Sequence, residues 1–564
     1  MTRFFQEPPR LGNQYEEDRV LRSFLRRNIA AKMLAEIEPA LRRLGARTSG
    51  EMIALALEAE RNPPELVQFD AWGRRIDAIR VSPAWQAMHR IAAEEGIVAT
   101  AYERKHAEAR AHQFALLYLY HPSSAIYSCP LAMTDGAARV LEIGGEEDLR
   151  REILPHLVSR DPDLMWTAGQ WMTERSGGSD VSGTETVARR EDGVFKLYGE
   201  KWFTSATTSE IALTLGRIED APQLSLFLVR LRDEQGRMNH IRIQRLKDKL
   251  GTRALPTAEL VLDGTPARLI GSEGRGVKEI ATVLNITRLY NACCAVGFMR
   301  RGLALARDYA SRRVAFGRPL SEHPLYIETL ASLQVDFEGS FHLVFFAARL
   351  LGKEEAGMAT AQERKILRLV TPLAKLFTAK LAVAAVSEAL ECFGGAGYVE
   401  DTGLPVLLRD SQVLTIWEGT TNVLSLDVLR VLQREEVLGD LLNELTARIE
   451  NVPTTLAEAR QNILEAVDGI QRQCAHLVSV DRAETEACAR DLAMDLSRVV
   501  AGALLIEHAA WSLESEGDRR PVISAQRWCG AGRIALVSRP KSWTCDSRRI
   551  AIDDSFSSAW SPSH

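Results

Sequence analysis

The chain has 564 residues, too many for one small core, so several domains sharing an interface are expected. A hydrophobic share of 46% and a charged share of 26% are those of an ordinary folded protein, and a net charge of −5 gives no global reason to expect nucleic acid or an acidic membrane as partner. No run of about eighteen uncharged apolar residues occurs. The N-terminus lacks an apolar signal core, and Glu16, Glu17 and Asp18 argue against a transit peptide, so the reading is a cytoplasmic protein without a membrane partner. The eight cysteines include no CxxC pair and the eleven histidines no HExxH spacing. Reduced thiols, and no metal, are the expectation.

In chain order, residues 1–163 read as a mostly helical domain. Ala30–Leu44 and Ser82–Glu95 carry apolar residues three and four apart, and Asn62-Pro63-Pro64 and Asp70–Gly73 look like breaks between helices. From 164 to 275 the pattern changes to short β-branched or apolar runs: Leu164–Thr167, Thr186–Ala188, Val194–Tyr198, Ile211–Leu215, Leu224–Val229, Ile241–Ile243 and Glu259–Leu262. Polar turns separate them, as in a small antiparallel barrel or sandwich. Helical periodicity returns over 276–433, where Met299–Arg312, Leu330–Leu351 and Leu373–Phe393 are long enough for a helical bundle. For the third, Thr371 is placed to cap, Pro372 at the first helical position, and Gly394-Gly395 to stop it. An amphipathic helical extension follows over 434–518. The remainder, 519–564, has no clear period and is expected to be a basic tail without regular structure; between 519 and 550, eight basic residues stand against Asp546, a net +7. The fold class is therefore α+β with segregated helical and strand domains.

Three segments carry chemistry. Met172-Thr173-Glu174-Arg175-Ser176-Gly177-Gly178-Ser179-Asp180 concentrates hydroxyls and uncrowded backbone amides, which suits a phosphate or a heteroaromatic ring edge, although most such loops are only turns. Arg313-Val314-Ala315-Phe316-Gly317 pairs a forked cation with a ring, a combination more often made of a surface Arg and a core Phe. Ile416-Trp417-Glu418-Gly419-Thr420-Thr421-Asn422 puts one carboxylate beside a large apolar ring, where partial desolvation would suit it to proton abstraction; taken alone, it reads sooner as a helix-capping segment with an exposed Glu.

Taken together and in this order, the segments resemble the acyl-CoA dehydrogenase superfamily over roughly residues 60–433. Asn62–Leu66, the run from Asp70 to Asp77, Pro83-Ala84-Trp85 and the extension beyond Gln433 are similar to its AidB-like branch. The resemblance implies an N-terminal helical domain, a middle β-domain, a C-terminal four-helix bundle, FAD as cofactor, and a dimer of dimers. It implies flavin contacts for Met172 and Thr173, a pyrophosphate contact for Ser179, and the ring-covering and hydroxyl positions for Phe203, Thr204 and Ser205 within Lys201-Trp202-Phe203-Thr204-Ser205. It gives Arg313 and Phe316 to the FAD of a neighbouring subunit, Glu391, Gly394 and Gly395 to the adenine half, and Thr420 and Asn422 to positions beside the cofactor. On the substrate side it implies Asn285, Arg288 and Trp417. Some relatives carry the base one residue before the arginine; here that residue is Thr287, which cannot serve, so Glu418 takes the role. Asn285 replaces an aspartate common in relatives.

The expected activity is α,β-dehydrogenation of an acyl-CoA thioester, with Glu418 removing the α-proton. Two alternatives stand beside it. One is an AidB-type flavoprotein binding DNA in the response to alkylation, drawn from the basic tail. The other is a protein that sequesters long-chain acyl-CoA with little turnover.

Overall fold

The computed structural model of the protein describes residues 7–537 together with 547, 550 and 551. Packing divides the chain into two compact units: residues up to 364 with 378–419, and residues 365–377 with those from 420 onward.

The first unit opens with helices α1 (Arg19–Asn28), α2 (Ala31–Ser49) and α3 (Glu51–Arg61). Asn62-Pro63-Pro64 ends α3 as expected, but between it and the next helix the chain forms a hairpin of β1 (Glu65–Phe69) and β2 (Arg75–Arg80). Asp70 is a turn residue as read, but the turn joins strands: its Oδ1 accepts from the backbone N–H of Trp72 and of Arg74, both at 2.9 Å, and Gly73 supplies a φ of +81°. Leu66 and Ile79 from this hairpin then pack on the β-domain core. Helices α4 (Pro83–Glu94), α5 (Thr100–Glu103), α6 (Ala109–Tyr120), α7 (Ser128–Gly144) and α8 (Glu147–Leu157) complete the N-terminal layer.

The β-domain contains β3 (Ala168–Trp171), β4 (Val187–Glu191), β5 (Val194–Ser205), β6 (Ile211–Ile218), β7 (Leu224–Arg230), β8 (Ile241–Leu246) and β9 (Thr257–Ile270). The pairing order β3-β6-β4-β5-β9-β7 closes through β6–β7, with β8 added on β9. The expected antiparallel pattern holds except that β3 and β4 both pair parallel to β6. The first strand begins at Ala168, beyond the expected Leu164–Thr167. One face of the sheet buries Trp171, Leu197, Phe227, Ile243 and Leu260 inside the closed ring. The other packs Leu213, Leu226 and Met172 against Leu141, Ile153 and Val283 of the surrounding helices. Buried on both sides over Ile211–Gly216, β6 is apolar there apart from Thr214 and shows no alternation, which hides its direction from sequence.

Then come α9 (Gly276–Arg312), a short hairpin of β10 (Val314–Ala315) and β11 (Arg318–Pro319), α10 (Pro324–Glu355), α11 (Ala361–Glu391) and α12 (Leu404–Val413). Helix α11 does not begin at Pro372. Thr360 caps it in a reciprocal capping box with Glu363, leaving Pro372 inside the helix, while Thr371 donates its hydroxyl proton to the Leu367 carbonyl at 2.8 Å. The reciprocal cap satisfies two orphan donors at once, more than Thr371 offers. By length and composition α11 is apolar enough to cross a membrane (mean hydropathy 1.6), but 72% of that stretch is buried inside the protein, as in a core helix.

In the second unit lie α13 (Thr421–Arg434), α14 (Leu438–Arg448), α15 (Ala457–Val478), α16 (Arg482–Glu516), α17 (Arg520–Trp528) and α18 (Ala531–Ile534). Residues 520–534, expected to lack regular structure, are thus helical. Val522, Ala525, Trp528 and Cys529 are buried, and Trp528 donates its indole N–H to the Arg498 carbonyl at 3.0 Å. Four buried anchors at helical spacing outweigh the basic composition. Arg539, Lys541, Arg548 and Arg549, four of the eight basic residues, lie outside the described residues.

Within the β-domain, a buried ion pair fixes the loop after β3. Glu174 accepts from Lys201 Nζ (2.7 Å), Thr186 Oγ1 (2.5 Å) and the amides of Glu185 (2.5 Å) and Thr186 (3.3 Å), while Lys201, fully buried, also reaches the Leu215 carbonyl at 3.2 Å. Lys201 and these donors hold the Glu174 carboxyl below its usual range although burial opposes it. The two partners are unequal. Glu174→Ala strands an ammonium with one carbonyl and should cost about 3–5 kcal/mol; Lys201→Met leaves the carboxylate three donors and should cost visibly less. Urea unfolding of both variants checks the order.

Candidate active site

Helix α9 carries the residues that hold Glu418. Thr287, Arg288 and Asn291 share one side of it by their spacing. Thr287 Oγ1 lies 2.6 Å from Glu418 Oε2, closer than to the carbonyls of Val283 (3.1 Å) and Leu284 (3.2 Å). The hydroxyl has one proton, so an ionised carboxylate takes it and a protonated one releases it to the helix. Arg288 Nε donates to the Glu418 backbone carbonyl at 3.4 Å. The Asn291 amide, oriented to satisfy both neighbours, donates to the Leu414 carbonyl (3.1 Å) and accepts the indole N–H of Trp417 (2.5 Å). The turn itself is strained: Glu418 has φ +59° and Gly419 +102°.

Other non-glycine residues with positive φ flank the same region. Ala125 (+47°) and Ile126 (+64°) precede Cys129 on α7, Ala206 (+55°) follows Ser205, and Thr252 (+55°) follows Lys249. A β-branched residue such as Ile126 or Thr252 adopts this backbone only when its surroundings impose it, and such strain gathers at functional sites. Cys129 ties these segments together. Burial pushes its thiol well up, and it also feels Lys249, which lowers it, and Glu418, which raises it.

On the β-domain side, the Thr173 carbonyl accepts from the Trp202 amide at 2.9 Å, locking the Thr173 loop to β5. Gly178 lies so close to Thr173 that a Cβ there would meet the Thr173 hydroxyl at 2.7 Å. Phe203 is 54% exposed. Lys247 Nζ stands 3.7 Å from the Trp202 ring centre and 4.6 Å from that of Phe203. Ser205 bonds Thr257 at 3.1 Å, whereas Thr204 is buried and donates to the Ala258 carbonyl at 2.7 Å. Gln170, on the strand that leads to Met172 and Thr173, keeps a buried Oε1 with no hydrogen bond among the described residues.

The remaining sequence-read residues lie on several elements. Met172 is buried in the core between sheet and helices, and Ser179 is exposed. Asn285 is half-buried on α9. Arg313 and Phe316 sit on the β10–β11 hairpin, Phe316 96% exposed at φ +50°. Glu391, Gly394 and Gly395 are exposed at and after the end of α11. Thr420 caps α13 through the Val423 amide at 3.5 Å, and Asn422 accepts from Arg490 at 3.5 Å; both belong to the second unit.

Sequence reading passed over Asn291, Cys129, Lys249 and Asp410. Asp410 accepts from the Thr252 amide at 2.6 Å, and Gly251 fits so tightly that a Cβ would lie 2.6 Å from the Arg409 carbonyl carbon and oxygen. No local motif marks these residues. A separate cavity of about 240 Å³ opens beside Arg104, His106, Arg139 and the buried Arg110; none of the residues around Glu418 lines it.

A helical domain, a closed β-domain and a long helix steadying a single strained carboxylate define a flavin-type dehydrogenase fold, and the comparisons with known proteins agree. Residues 169–265 match the acyl-CoA dehydrogenase middle domain, 274–433 the acyl-CoA dehydrogenase C-terminal domain, 6–164 the adaptive response protein AidB N-terminal domain, and 436–555 the acyl-CoA dehydrogenase 11 C-terminal domain-like family. Acyl-CoA dehydrogenase family member 11 of Caenorhabditis elegans is 44% identical over 93% of this chain and 88% of its own length. The putative acyl-CoA dehydrogenase AidB of Escherichia coli is 34% identical over 76% and 81%. The crystal structure of Caenorhabditis elegans ACDH-11 in complex with C11-CoA superposes with a TM-score of 0.94 at 41% identity, covering 99% of this chain and 98% of that one. The chain belongs to the acyl-CoA dehydrogenase family.

Burial raises the Asp410 carboxyl to about 7. Its folded-state pKa exceeds the unfolded value, so its contribution to stability is complete below about pH 4 and is lost as pH rises through about 7. Asp410→Asn keeps an acceptor for Thr252 and removes the charge. Thermal unfolding of this variant should lose that downward slope between about pH 4 and 7 and, at pH 8, exceed wild type.

Proposed function

We propose that this protein is an FAD-dependent acyl-CoA dehydrogenase that oxidises the Cα–Cβ bond of an acyl-CoA thioester, with Glu418 as the base for the α-proton. The observation that carries this is the Glu418 turn: one carboxylate in a left-handed conformation, bonded by Thr287, beside a Trp417 pinned by Asn291. Strain of this kind persists where geometry serves chemistry.

The residues present suit the cofactor. Thr173 and Ser205 offer hydroxyls, the exposed Phe203 offers a ring face, Gly178 keeps a Cβ away from the Thr173 hydroxyl, and Gln170 holds a buried acceptor without a hydrogen-bond partner among the described residues. When bound, FAD supplies the acceptor for the hydride leaving the β-carbon. The chain's part is to orient the thioester, exclude water and take the α-proton at a Glu418 carboxylate oxygen. Thr287 then follows the charge, donating to the carboxylate before transfer and turning to the Val283 or Leu284 carbonyl after it. The α-proton is too weakly acidic for an unassisted carboxylate, so hydrogen-bond donors at the thioester oxygen complete the site.

The exposed Phe316 beside Arg313 supports a role for that hairpin in a neighbouring subunit, and hence a homo-oligomer. The sequestering alternative keeps the same pocket and differs only in rate.

Glu418→Gln should bind FAD as wild type does and lose about 10²–10⁴-fold in the rate at which added acyl-CoA bleaches the flavin absorbance, while Thr287→Val should slow bleaching to a smaller degree. Bleaching by Glu418→Gln at the wild-type rate would remove the base assignment. Tight acyl-CoA binding without bleaching in wild type would favour sequestration.

A further inference from the structure

Where the loop after α5 meets the ends of α7 and α10 lies the cavity of about 240 Å³, several times the roughly 30 Å³ that one water occupies in the liquid. Its wall holds four cations, Arg104, Lys105, Arg110 and Arg139, against two carboxylates, Glu142 and Glu355. Two further carboxylates stand behind the wall: Glu36 accepts from Arg104 at 2.8 Å, and Asp135 from Arg110 at 2.6 Å. Charge is therefore close to balanced. What selects a ligand is which hydrogen-bonding groups are already taken.

The carboxylates are taken. Glu355 accepts from Nε and Nη2 of Arg110, at 2.5 and 2.8 Å, and has Arg139 Nε at 3.5 Å. Glu142 accepts from Arg139 Nη1 at 2.6 Å and has Lys105 Nζ at 3.7 Å. The donors are not. Among the described residues Arg139 makes that one hydrogen bond, and the exposed Lys105 makes none. A guanidinium carries five N–H groups and an ammonium three, so most donors of this pair are unspent. His106, also on the wall, has both ring nitrogens shielded from solvent and neither hydrogen-bonded among the described residues. A cationic ligand would find no free acceptor here. A ligand that brings its own negative oxygens meets an Arg fork and an ammonium.

We propose that this cavity is a binding site for a small oxyanion, a phosphate or a carboxylate, held between the Arg139 guanidinium and the Lys105 ammonium. Arg139 supplies direction, because its planar fork matches two oxygens and its bond to Glu142 already orders the side chain. Lys105 supplies a second charge. The two cations share Glu142, and a further anion between them relieves their repulsion. Arg110 is the floor and not a ligand, since Asp135, Gln113 and Glu355 already use its N–H groups. No residue around Glu418 lines the cavity, so the site is separate from the one assigned to acyl-CoA and does not depend on the FAD reading.

The test is calorimetric titration and thermal unfolding of the full-length protein with inorganic phosphate and, separately, with citrate, against sodium chloride at matched ionic strength. At least one of the two oxyanions should bind saturably with a Kd of about 1 mM or below and raise Tm, while chloride does neither. Tighter phosphate would mark a phosphorylated compound as the natural ligand, tighter citrate a carboxylic acid. Arg139→Gln should weaken binding roughly tenfold, the loss of a charge-assisted hydrogen bond, and Lys105→Gln roughly threefold, because that ammonium is exposed. Lys105→Gln alters an exposed side chain and should fold as wild type, so it decides the matter if Arg139→Gln does not fold. Binding of neither oxyanion, an equal response to chloride, or an affinity unchanged in folded Lys105→Gln protein would overturn the proposal.

Discussion

A carboxylate placed on a left-handed turn does not stay there unless something outside the turn holds it. Glu418, at φ +59°, is held by α9: Thr287 on its carboxylate, Arg288 on its carbonyl, and Asn291 on the neighbouring Trp417. The cost of the backbone conformation is on the order of 1–3 kcal/mol, which hydrogen bonds of this kind together offset. The position of the candidate base is therefore a property of one helix and not of the loop that carries it.

That helix is in turn anchored on its other side. Tyr290, between Arg288 and Asn291, donates to Asp135 at 2.8 Å, and Asp135 also accepts from Arg110 and Gln113, both at 2.6 Å. Arg110 is fully buried and forks onto Glu355 at the end of α10. A buried network of this kind is costly unless every member is satisfied, and here the guanidinium's partners come from its own helix and from α7 and α10. A rotation of α9 that moved Thr287 away from Glu418 would also break the Tyr290–Asp135 bond. Two independent sets of directional bonds thus fix the same rotational setting.

The parts legible in the sequence are those where chemistry and neighbours lie close along the chain. Thr173, Phe203, Ser205, Arg288, Trp417 and Glu418 all lie in short motifs, and the structure brings Arg288 and Trp417 to Glu418; the alternation of helical and strand-rich stretches gives the order of the helical and strand-rich parts. The misses have a common physical origin, which is competition between local signals or contact across long separations. Thr371-Pro372 has a good local cap signal, yet Thr360 with Glu363 has a better one, and a long helix tolerates the proline. The direction of β3 and β4 against β6 leaves no trace in an apolar run. The composition of residues 520–534 is basic, but four apolar anchors decide their structure. Thr287 was set aside because it cannot be a base; its contact with Glu418, 131 residues away, shows that the position retains a role as a donor.

The same separation explains why the strained residues are informative. Ile126, Ala206, Thr252 and Glu418 come from four distant segments, and no local preference would give any of them a positive φ. Each lies within three residues of a group placed in the site: Cys129, Ser205, Lys249 and Glu418 itself. Elsewhere the conformation falls at Asp192, Asp220 and His240, polar residues that tolerate it in surface turns, at buried Asp77, and at Phe316 on the β10–β11 hairpin. At Ile126 and Thr252 the side chain opposes the backbone, so packing must impose it, and packing that imposes strain on several segments around one carboxylate is selecting the geometry at their meeting point rather than the stability of any one turn.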